Sequence, residues 1–325
     1  MSPKISAIIP LYNKGPHIAR AINSVLAQTV QDFEIIVVDD HSSDEGPEIV
    51  KSYNDSRISF IEQDHHGVSY TRNHGVDLAK SDFIAFLDAD DEWMPNHLEI
   101  LFRLKGEFPD AGIYTAAYKK YSKSGKLIYP HYWAIPKSPF EGILPNYFES
   151  AALGPDPILV SVAAISKELF GETGGFPVGE SMGEDVDLWA KIALKYPIAF
   201  SSEIGAIIHE EASNRACDSH QSIEEDPFVR NGKKAIADGM VPEKMLPYYK
   251  EYIARKEIDT AVINIYAGDY PLARKILART ETRYLLSEKS MWSIITRLPK
   301  PVFDGIRHIK NGMENNFYYW ANMVR

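Results

Sequence analysis

The sequence is poor in cysteine and has no long apolar run, and both shortages restrict the classes of protein that fit. One cysteine, Cys217, stands among 325 residues, which excludes an internal disulfide and a zinc site built from cysteines. A lone thiol suits a reducing compartment. No stretch approaches the roughly 18 apolar residues of a transmembrane helix, and the first residues lack the apolar core of a signal peptide. We therefore expect a cytoplasmic protein.

Basic residues are also scarce compared with acidic ones. The chain has 35 Lys and Arg against 45 Asp and Glu, a formal net charge of -10. This balance argues against a nucleic-acid partner that would need a broad basic face. A small ligand that carries phosphate stays compatible, because a metal ion can supply positive charge locally.

Short apolar runs alternate with helical patterns in the first hundred residues. Strands are predicted at Ile5–Pro10, Phe33–Asp40, Ile58–Gln63 and Phe83–Asp88. These strands are apolar throughout and helical segments separate them, which is typical of a parallel sheet covered on both faces. The prediction is an α/β fold with a Rossmann-like, mostly parallel central sheet.

The pattern changes along the chain and predicts two domains. Residues 1–218 form the α/β domain, with one half at about 1–97 and the other at about 98–218. After Asp218 helical patterns dominate, so residues 219–325 are predicted to be a helical C-terminal region.

Ligands of such sheets bind beyond the carboxyl ends of the strands. Polar residues follow three of the predicted strand ends. The segments are Pro10-Leu11-Tyr12-Asn13, Asp39-Asp40 and Asp88-Ala89-Asp90-Asp91. They are expected to meet at the mouth of the sheet, outside the core.

Two interpretations compete for each acidic group. Asp88, Asp90 and Asp91 suit a Mg²⁺ or Mn²⁺ ion shared with substrate phosphates, which we favour over a solvated turn because a buried strand precedes them. Asp39-Asp40 could recognise a base or ribose, or could form a turn and a helix cap. Glu184-Asp185 could hold a general base, or could be favourable charges at a helix N-terminus.

Other candidates have weaker support from the sequence. Arg72 could neutralise a phosphate, but an exposed structural arginine is favoured. His209 could bind a metal through its neutral imidazole, but a structural role is favoured. The basic and aromatic run 292–310 could contact the anionic inner face of the membrane, but a packed helical hairpin is favoured. Structural roles are expected for His65, His66, Cys217 and His220.

Five segments, in this order and spacing, resemble glycosyltransferase family 2, whose members have the GT-A fold. The segments are SAIIPLYN, IIVVDDHSSD, GVSYTRNHG, FIAFLDADDEWMP and GGFPVGESMGEDVDLWAKI. The resemblance covers roughly residues 4–215 and leaves the last hundred residues unexplained.

The resemblance implies a donor site for a nucleotide sugar. Pro10 and Tyr12 would pack against the base, and Asp40, with Asp39 as a near alternative, would bond the uracil ring. Arg72 would lie near the base or the diphosphate. Leu11, Asn13 and Ala89 belong to the same motifs and are included in the predicted donor site, as is Glu184.

The resemblance also implies the reacting groups. Asp90 would hold Mn²⁺ or Mg²⁺ on the donor diphosphate, and Asp88 would lie near the ribose. Asp185 would be the catalytic base, with Glu184 beside it. His209 lies where related enzymes sometimes place a last metal ligand.

These roles predict an inverting, metal-dependent glycosyltransferase. It would move a sugar from a nucleotide sugar, a UDP-sugar first of all, to a hydroxyl of a glycan or lipid-linked acceptor by single displacement. The absence of a Q-x-x-R-W motif after Asp185 argues against a processive synthase. The alternatives are a polyprenyl-phosphate glycosyltransferase and a non-catalytic module that binds nucleotide sugars or serves as a scaffold. A nucleotidyltransferase is disfavoured, because LYNKGPH is a poor phosphate loop.

Overall fold

The structure is a computed structural model that describes residues 3–180, 182–215 and 221–298. The chain divides into two compact units, Met1–Asp218 and Ser219–Arg325. Cys217, His220 and the part of the run 292–310 after residue 298 lie outside the described residues.

The described part of the first unit combines one β-sheet with helices. Its strands are β1 (Ile5–Leu11), β2 (Phe33–Asp39), β3 (Ile58–Glu62), β4 (Phe83–Phe86), β5 (Glu92–Trp93), β6 (Ile113–Tyr121), β7 (Leu127–Ile128), β8 (Glu141–Ile143), β9 (Ala163–Ser166) and β10 (Ile198–His209). Its helices are α1 (Gly15–Leu26), α2 (Gly46–Lys51), α3 (Val68–Leu78), α4 (His97–Glu107), α5 (Tyr147–Leu153), α6 (Lys167–Glu172) and α7 (Glu184–Ala193), with a 3₁₀ turn at Val160–Val162.

The strands lie in the order β3-β2-β1-β4-β9-β6-β10-β5, with β7 paired to β6 and β8 paired to β10. Strands β3, β2, β1 and β4 run parallel, which confirms the predicted α/β fold in the part of the chain with alternating strands and helices. Strand β9 is antiparallel to both β4 and β6, while β10 is again parallel to β6. The second half of the sheet is therefore mixed.

Helices cover both faces of the sheet because successive side chains of a strand point to opposite sides. Ala7 and Ile9 of β1 share a buried cluster with Ile22 of α1. Ile8, between them, faces α3 so closely that a Cβ on Gly75 would lie 2.5 Å from its Cγ2 atom. Gly75 thus lets α3 approach β1.

An aromatic cluster fixes α6 and α7 beside β4. The ring of Phe86 lies 5.2 Å from Phe176, 5.9 Å from Phe170 and 6.4 Å from Trp189, measured between centroids. Aromatic pairs at these separations are stabilising beyond their buried area. The cluster holds the start of α7, where Glu184 lies, near the end of β4.

The described part of the second unit is helical, as predicted for the C-terminal region. Its helices are α8 (Pro227–Ala237), α9 (Leu246–Ala267), α10 (Tyr270–Arg279) and α11 (Leu286–Ile295). Gly268, at φ 86°, ends α9, and the Asp269 carboxylate caps α10 by accepting from the Leu272 N–H at 3.1 Å. Within the described residues, no helix is both long and apolar enough to cross a membrane.

Candidate active site

The parallel strands bring the polar strand ends to a common edge. Leu11, at the end of β1, pairs with Asp39 at the end of β2, and Ile8 pairs with Phe86 at the end of β4. The backbone N–H of Asp40 donates to the carbonyl of Leu11 at 2.8 Å. The segments that follow these three strands therefore start side by side.

The Asp40 carboxylate holds the segment after β3. It accepts from the backbone N–H groups of His66 at 2.8 Å and Gly67 at 2.9 Å, and from Nε2 of Gln63 at 2.9 Å. Nδ1 of His65 lies 2.8 Å from the same group. Burial alone would raise the pKa of Asp40, but these hydrogen bonds outweigh it, so the pKa is lowered. Asp40 is therefore ionised and engaged within the protein.

Tyr12 and His65 form a stacked pair beside Asp40. Their ring centroids lie 4.5 Å apart with 28° between the planes, and Tyr12 is 42% exposed. Only a structural role was expected for His65, but its ring lies against Tyr12, a residue of the predicted base site. The available signal was its position, just after β3 at the shared edge.

Four other members of the predicted donor site have little side chain available to a ligand. Leu11 and Ala89 are buried in the hydrophobic core, so their side chains face away from solvent. Asn13, at φ 51°, accepts from the Ser43 N–H at 2.7 Å through Oδ1 and therefore shapes the loop. Asp39 keeps one buried oxygen, Oδ1, that has no hydrogen-bond partner among the described residues.

Arg72 is the central cation of the site. Its guanidinium donates to Oδ1 of Asp88 and to Oε1 of Glu184, each at 2.7 Å, and it lies over the ring of Phe176 at 5.3 Å. Its side chain is only 5% exposed. The expectation of an exposed arginine was wrong, because two acids from distant segments accompany it into the interior. Despite the opposing effect of burial, the charges of Asp88 and Glu184 raise the pKa of Arg72.

Glu184 and Asp185 begin α7. The preceding Gly183 adopts φ 80°, a left-handed conformation that favours glycine. Burial and the neighbouring Asp185 charge raise the pKa of Glu184, and Arg72 opposes that rise. Asp185 is half-buried, and its Oδ1 accepts from the Val186 N–H at 2.8 Å. Arg72 therefore engages Glu184, while Asp185 stands beside the pair.

Asp90 is paired with Lys14, a residue outside the predicted site. Nζ of Lys14 lies 2.6 Å from Oδ2 of Asp90 and donates to the carbonyl of Ser213 at 2.9 Å. The side chains of Lys14 and Asp90 are only 12% and 14% exposed. The guanidinium of Arg20 also donates to the backbone carbonyl of Asp90.

Asp91 corrects the expectation that all three aspartates lie at the mouth of the sheet, because it is 6% exposed. Burial, with the charges of Asp88 and Asp90, raises its pKa to about 8. Its carboxylate accepts from Oγ of Ser161 at 2.5 Å and from the backbone N–H of His209 at 3.0 Å. The negative charge of each aspartate is thus offset in a different way. Arg72 pairs with Asp88 and Lys14 pairs with Asp90, while Asp91 has hydrogen bonds and a raised pKa.

His209 lies next to Asp91 through its backbone, but its ring contacts two glutamates. Nδ1 lies 2.6 Å from Oε1 of Glu211, and Nε2 lies 3.3 Å from Oε2 of Glu92. A metal needs a ring nitrogen with a free lone pair. One of these contacts would have to open before His209 could bind a metal, so that role stays a prediction.

The donor atoms of Asp90 fit a cation that is shared with a ligand. Within the described residues, no three His, Cys, Asp or Glu side chains form a group that could hold a metal by themselves. Oδ1 of Asp90 has no hydrogen-bond or ion-pair partner among those residues. Mg²⁺ is usually held by one or two carboxylates together with substrate phosphates, and Asp90 suits that arrangement.

Three residues of this site were missed by sequence reasoning: Lys14, Arg20 and Ser161. Lys14 follows PLYN directly, so its place after the first strand was a signal. Arg20 and Ser161 carried none, because a single arginine on an amphipathic helix and a single serine in a loop are common in any α/β protein.

Comparison with known proteins agrees with this architecture. The family model described as glycosyl transferase family 2 matches residues 6–159. An uncharacterized glycosyltransferase of Rickettsia bellii is 30% identical over 192 residues, which are 58% of this chain and 26% of that relative. The matches cover 26% to 31% of the length of the first four curated relatives, so the chain spans about a quarter to a third of each.

Two solved structures share the fold. S. aureus TarS 1–349 in complex with UDP-GlcNAc has a TM-score of 0.65 at 19% identity, covering 94% of this chain and 92% of that one. The mannosyltransferase PcManGT from Pyrobaculum calidifontis, in complex with GDP-Man and Mn²⁺, has a TM-score of 0.59 at 18% identity, covering 100% and 87%. Residues 6–159 thus match the family 2 glycosyltransferase model, and the shared architecture supports the GT-A fold for this chain.

Proposed function

We propose that this chain is an inverting, metal-dependent glycosyltransferase. It moves a sugar from a nucleotide sugar, first of all a UDP-sugar, to a hydroxyl of a glycan or lipid-linked acceptor. The observation that carries the proposal is the Arg72 bridge, 2.7 Å from both Asp88 and Glu184. Arg72 thereby connects the end of β4, where the donor is expected to bind, with the start of α7, where the expected base Asp185 lies.

In this proposal the base of the nucleotide binds at the ends of β1 and β2. The exposed ring of Tyr12 offers a stacking surface, and His65 is already stacked against it. Asp40 holds the loop that carries His65, since its carboxylate accepts the N–H groups of His66 and Gly67. Asp40 would therefore contribute to base recognition in two ways: it positions that loop, and its carboxylate can accept a hydrogen bond from the base.

The leaving diphosphate requires neutralisation of its charge. Asp90 would hold Mn²⁺ or Mg²⁺ with the diphosphate, and the ion would supply Lewis-acid assistance to the leaving group. Asp88, fixed by Arg72, would lie near the ribose. The Mn²⁺ and GDP-Man bound by PcManGT support the metal and the class of donor by analogy of fold alone.

The acceptor hydroxyl must lose its proton as it attacks. Asp185 is the better base of the two acids at the start of α7, because Glu184 is engaged by Arg72. The acceptor oxygen bonds to the anomeric carbon while the bond from that carbon to the phosphate oxygen breaks. The proton passes to Asp185 and the nucleoside diphosphate leaves, so one displacement inverts the anomeric configuration.

Ligand binding and donor turnover test the proposal together. Thermal unfolding is followed with UDP, GDP, dTDP and CMP, each with and without Mn²⁺. A ligand that binds only the folded state stabilises it by roughly 2.7 kcal/mol at a hundred times its Kd. We expect one diphosphate to stabilise the chain more with Mn²⁺, and the matching nucleotide sugar to be cleaved to that diphosphate.

Asp90→Ala should abolish the metal-dependent part of the stabilisation, and Asp32→Ala, an exposed surface acid, is the matched control. If no nucleotide changes the unfolding temperature of the wild type, or if Asp90→Ala responds as the wild type does, the proposed donor site is wrong.

A further inference from the structure

Lys14 occupies the carboxylate that is expected to bind the metal. Its ammonium lies 2.6 Å from Oδ2 of Asp90, and the two side chains are 12% and 14% exposed. A charge pair this close and this shielded from water is stronger than an exposed surface pair. Any divalent cation that approaches Asp90 meets a positive charge that is already there.

The cluster needs this counterion while no ligand is bound. Arg72 engages Asp88, and Asp91 is buried with its own hydrogen bonds, so Asp90 depends on another cation. Lys14 supplies that cation from the loop after β1. Its other described contact is the carbonyl of Ser213, a neutral acceptor, so no second carboxylate competes for the ammonium.

The lysine can move without a change in the backbone. Its four-carbon stem is flexible, and an ammonium accepts many geometries, unlike the planar guanidinium of Arg72. The carbonyl of Lys14 accepts from the N–H groups of His17 and Ile18, each at 2.9 Å, so the start of α1 stays fixed while the side chain turns. The ammonium can therefore remain near the strand end after it leaves Asp90.

We propose that Lys14 is an exchangeable counterion that neutralises Asp90 in the free protein and binds a diphosphate oxygen of the donor once a metal ion has taken Asp90. This proposal deepens the proposed function and rests on it for the identity of the ligand. The exchange keeps metal affinity low until the diphosphate arrives, because only then does the displaced ammonium gain a new anion. Metal and nucleotide should consequently bind with positive coupling.

A Mn²⁺ titration without nucleotide tests the first part of the proposal, that Lys14 competes with the metal for Asp90. Binding is read from the electron paramagnetic resonance signal of the free ion. Lys14→Met should bind Mn²⁺ about tenfold or more tightly than the wild type, which is the lower end for a close charge pair. Lys14→Arg keeps the charge and should bind as weakly as the wild type. Lys51→Met, at an exposed lysine paired with Glu48 and Glu62, is the control and should change nothing.

The site of binding is checked with Asp90→Asn in the Lys14→Met background, which should remove the added Mn²⁺ affinity. Circular dichroism establishes that each variant is folded. Unchanged or weaker Mn²⁺ binding by Lys14→Met would overturn the proposal. So would equal tightening in Lys14→Arg, because charge would then not be the cause.

Calorimetric titration with UDP and GDP tests the second part of the proposal, the contact between Lys14 and the diphosphate. In the presence of saturating Mn²⁺, Lys14→Met should bind the preferred diphosphate several-fold more weakly than the wild type, and the coupling between metal and nucleotide should fall. Equal diphosphate affinity in the two proteins would refute the phosphate contact. If none of UDP, GDP, dTDP and CMP binds the wild type, the proposed function fails, while the Mn²⁺ titration still decides whether Lys14 competes at Asp90.

Discussion

Replacing Arg72 by Met removes the cation that Asp88 and Glu184 share. The wild-type arginine is 5% exposed, Glu184 is 10% exposed and Asp88 is 33% exposed. Breaking a buried ion pair by removing one partner costs about 3–5 kcal/mol, because a charge stays buried without compensation. Water can reach Asp88 in part, so we expect about 3–4 kcal/mol, in the lower part of that range.

The sign of the pH dependence follows from Glu184. Its pKa is already raised by burial and Asp185, and Arg72 opposes the rise. Without Arg72 the folded-state pKa rises further above the unfolded value. Folded Arg72→Met then keeps a proton on Glu184 that the unfolded chain has lost. The free energy of unfolding of this variant therefore falls as pH rises through the folded pKa of Glu184. The difference from wild type should be largest near neutral pH and smaller at about pH 5.

Urea unfolding at both pH values, followed by near-ultraviolet circular dichroism, measures the difference in the free energy of unfolding. Arg103→Met is the matched control, because Arg103 also joins two acids, Glu141 and Glu203, but is 33% exposed. An exposed pair contributes about 0–1 kcal/mol. Equal losses in the two variants, or a loss for Arg72→Met that is the same at both pH values, would refute the reasoning.

Three further predictions concern other parts of the first unit. Burial lowers the pKa of His97 to about 3, so its folded pKa lies below the unfolded one and stability is lost as pH falls. Between about pH 7.5 and 4.5 the wild type should lose roughly 2.7 kcal/mol that His97→Leu keeps, read from urea unfolding. Gly75→Ala should destabilise the protein by about 1–3 kcal/mol, because its Cβ would lie 2.5 Å from Ile8. Gly106→Ala, whose Cβ would meet nothing within 4 Å, should stabilise it by about 0.5–1 kcal/mol. Thermal unfolding compares the two variants. Asp185→Asn should keep nucleotide affinity and lose about 10²-fold or more in transfer rate, and retained turnover would refute the assignment of the base.

The sequence was most informative about features that depend on neighbours along the chain. Apolar runs such as Phe33–Asp39 predicted the strands, because a strand buried on both faces needs apolar side chains throughout. Polar residues directly after those runs predicted the edge that carries the site. The antiparallel insertion of β9 between β4 and β6 was not predicted, because apolar runs contain no information on which strand pairs with which.

The sequence alone thus determined which acids stand at the strand ends, and the tertiary structure decided what each acid contacts. Glu184 meets Arg72 across 112 positions, and Asp90 meets Lys14 across 76. Asp91 is buried while Asp88, three positions earlier, is partly open to water. Burial and charge pairing arise from segments that only folding brings together, and they determine which carboxylates are compensated within the protein and which can accept an ion or a proton.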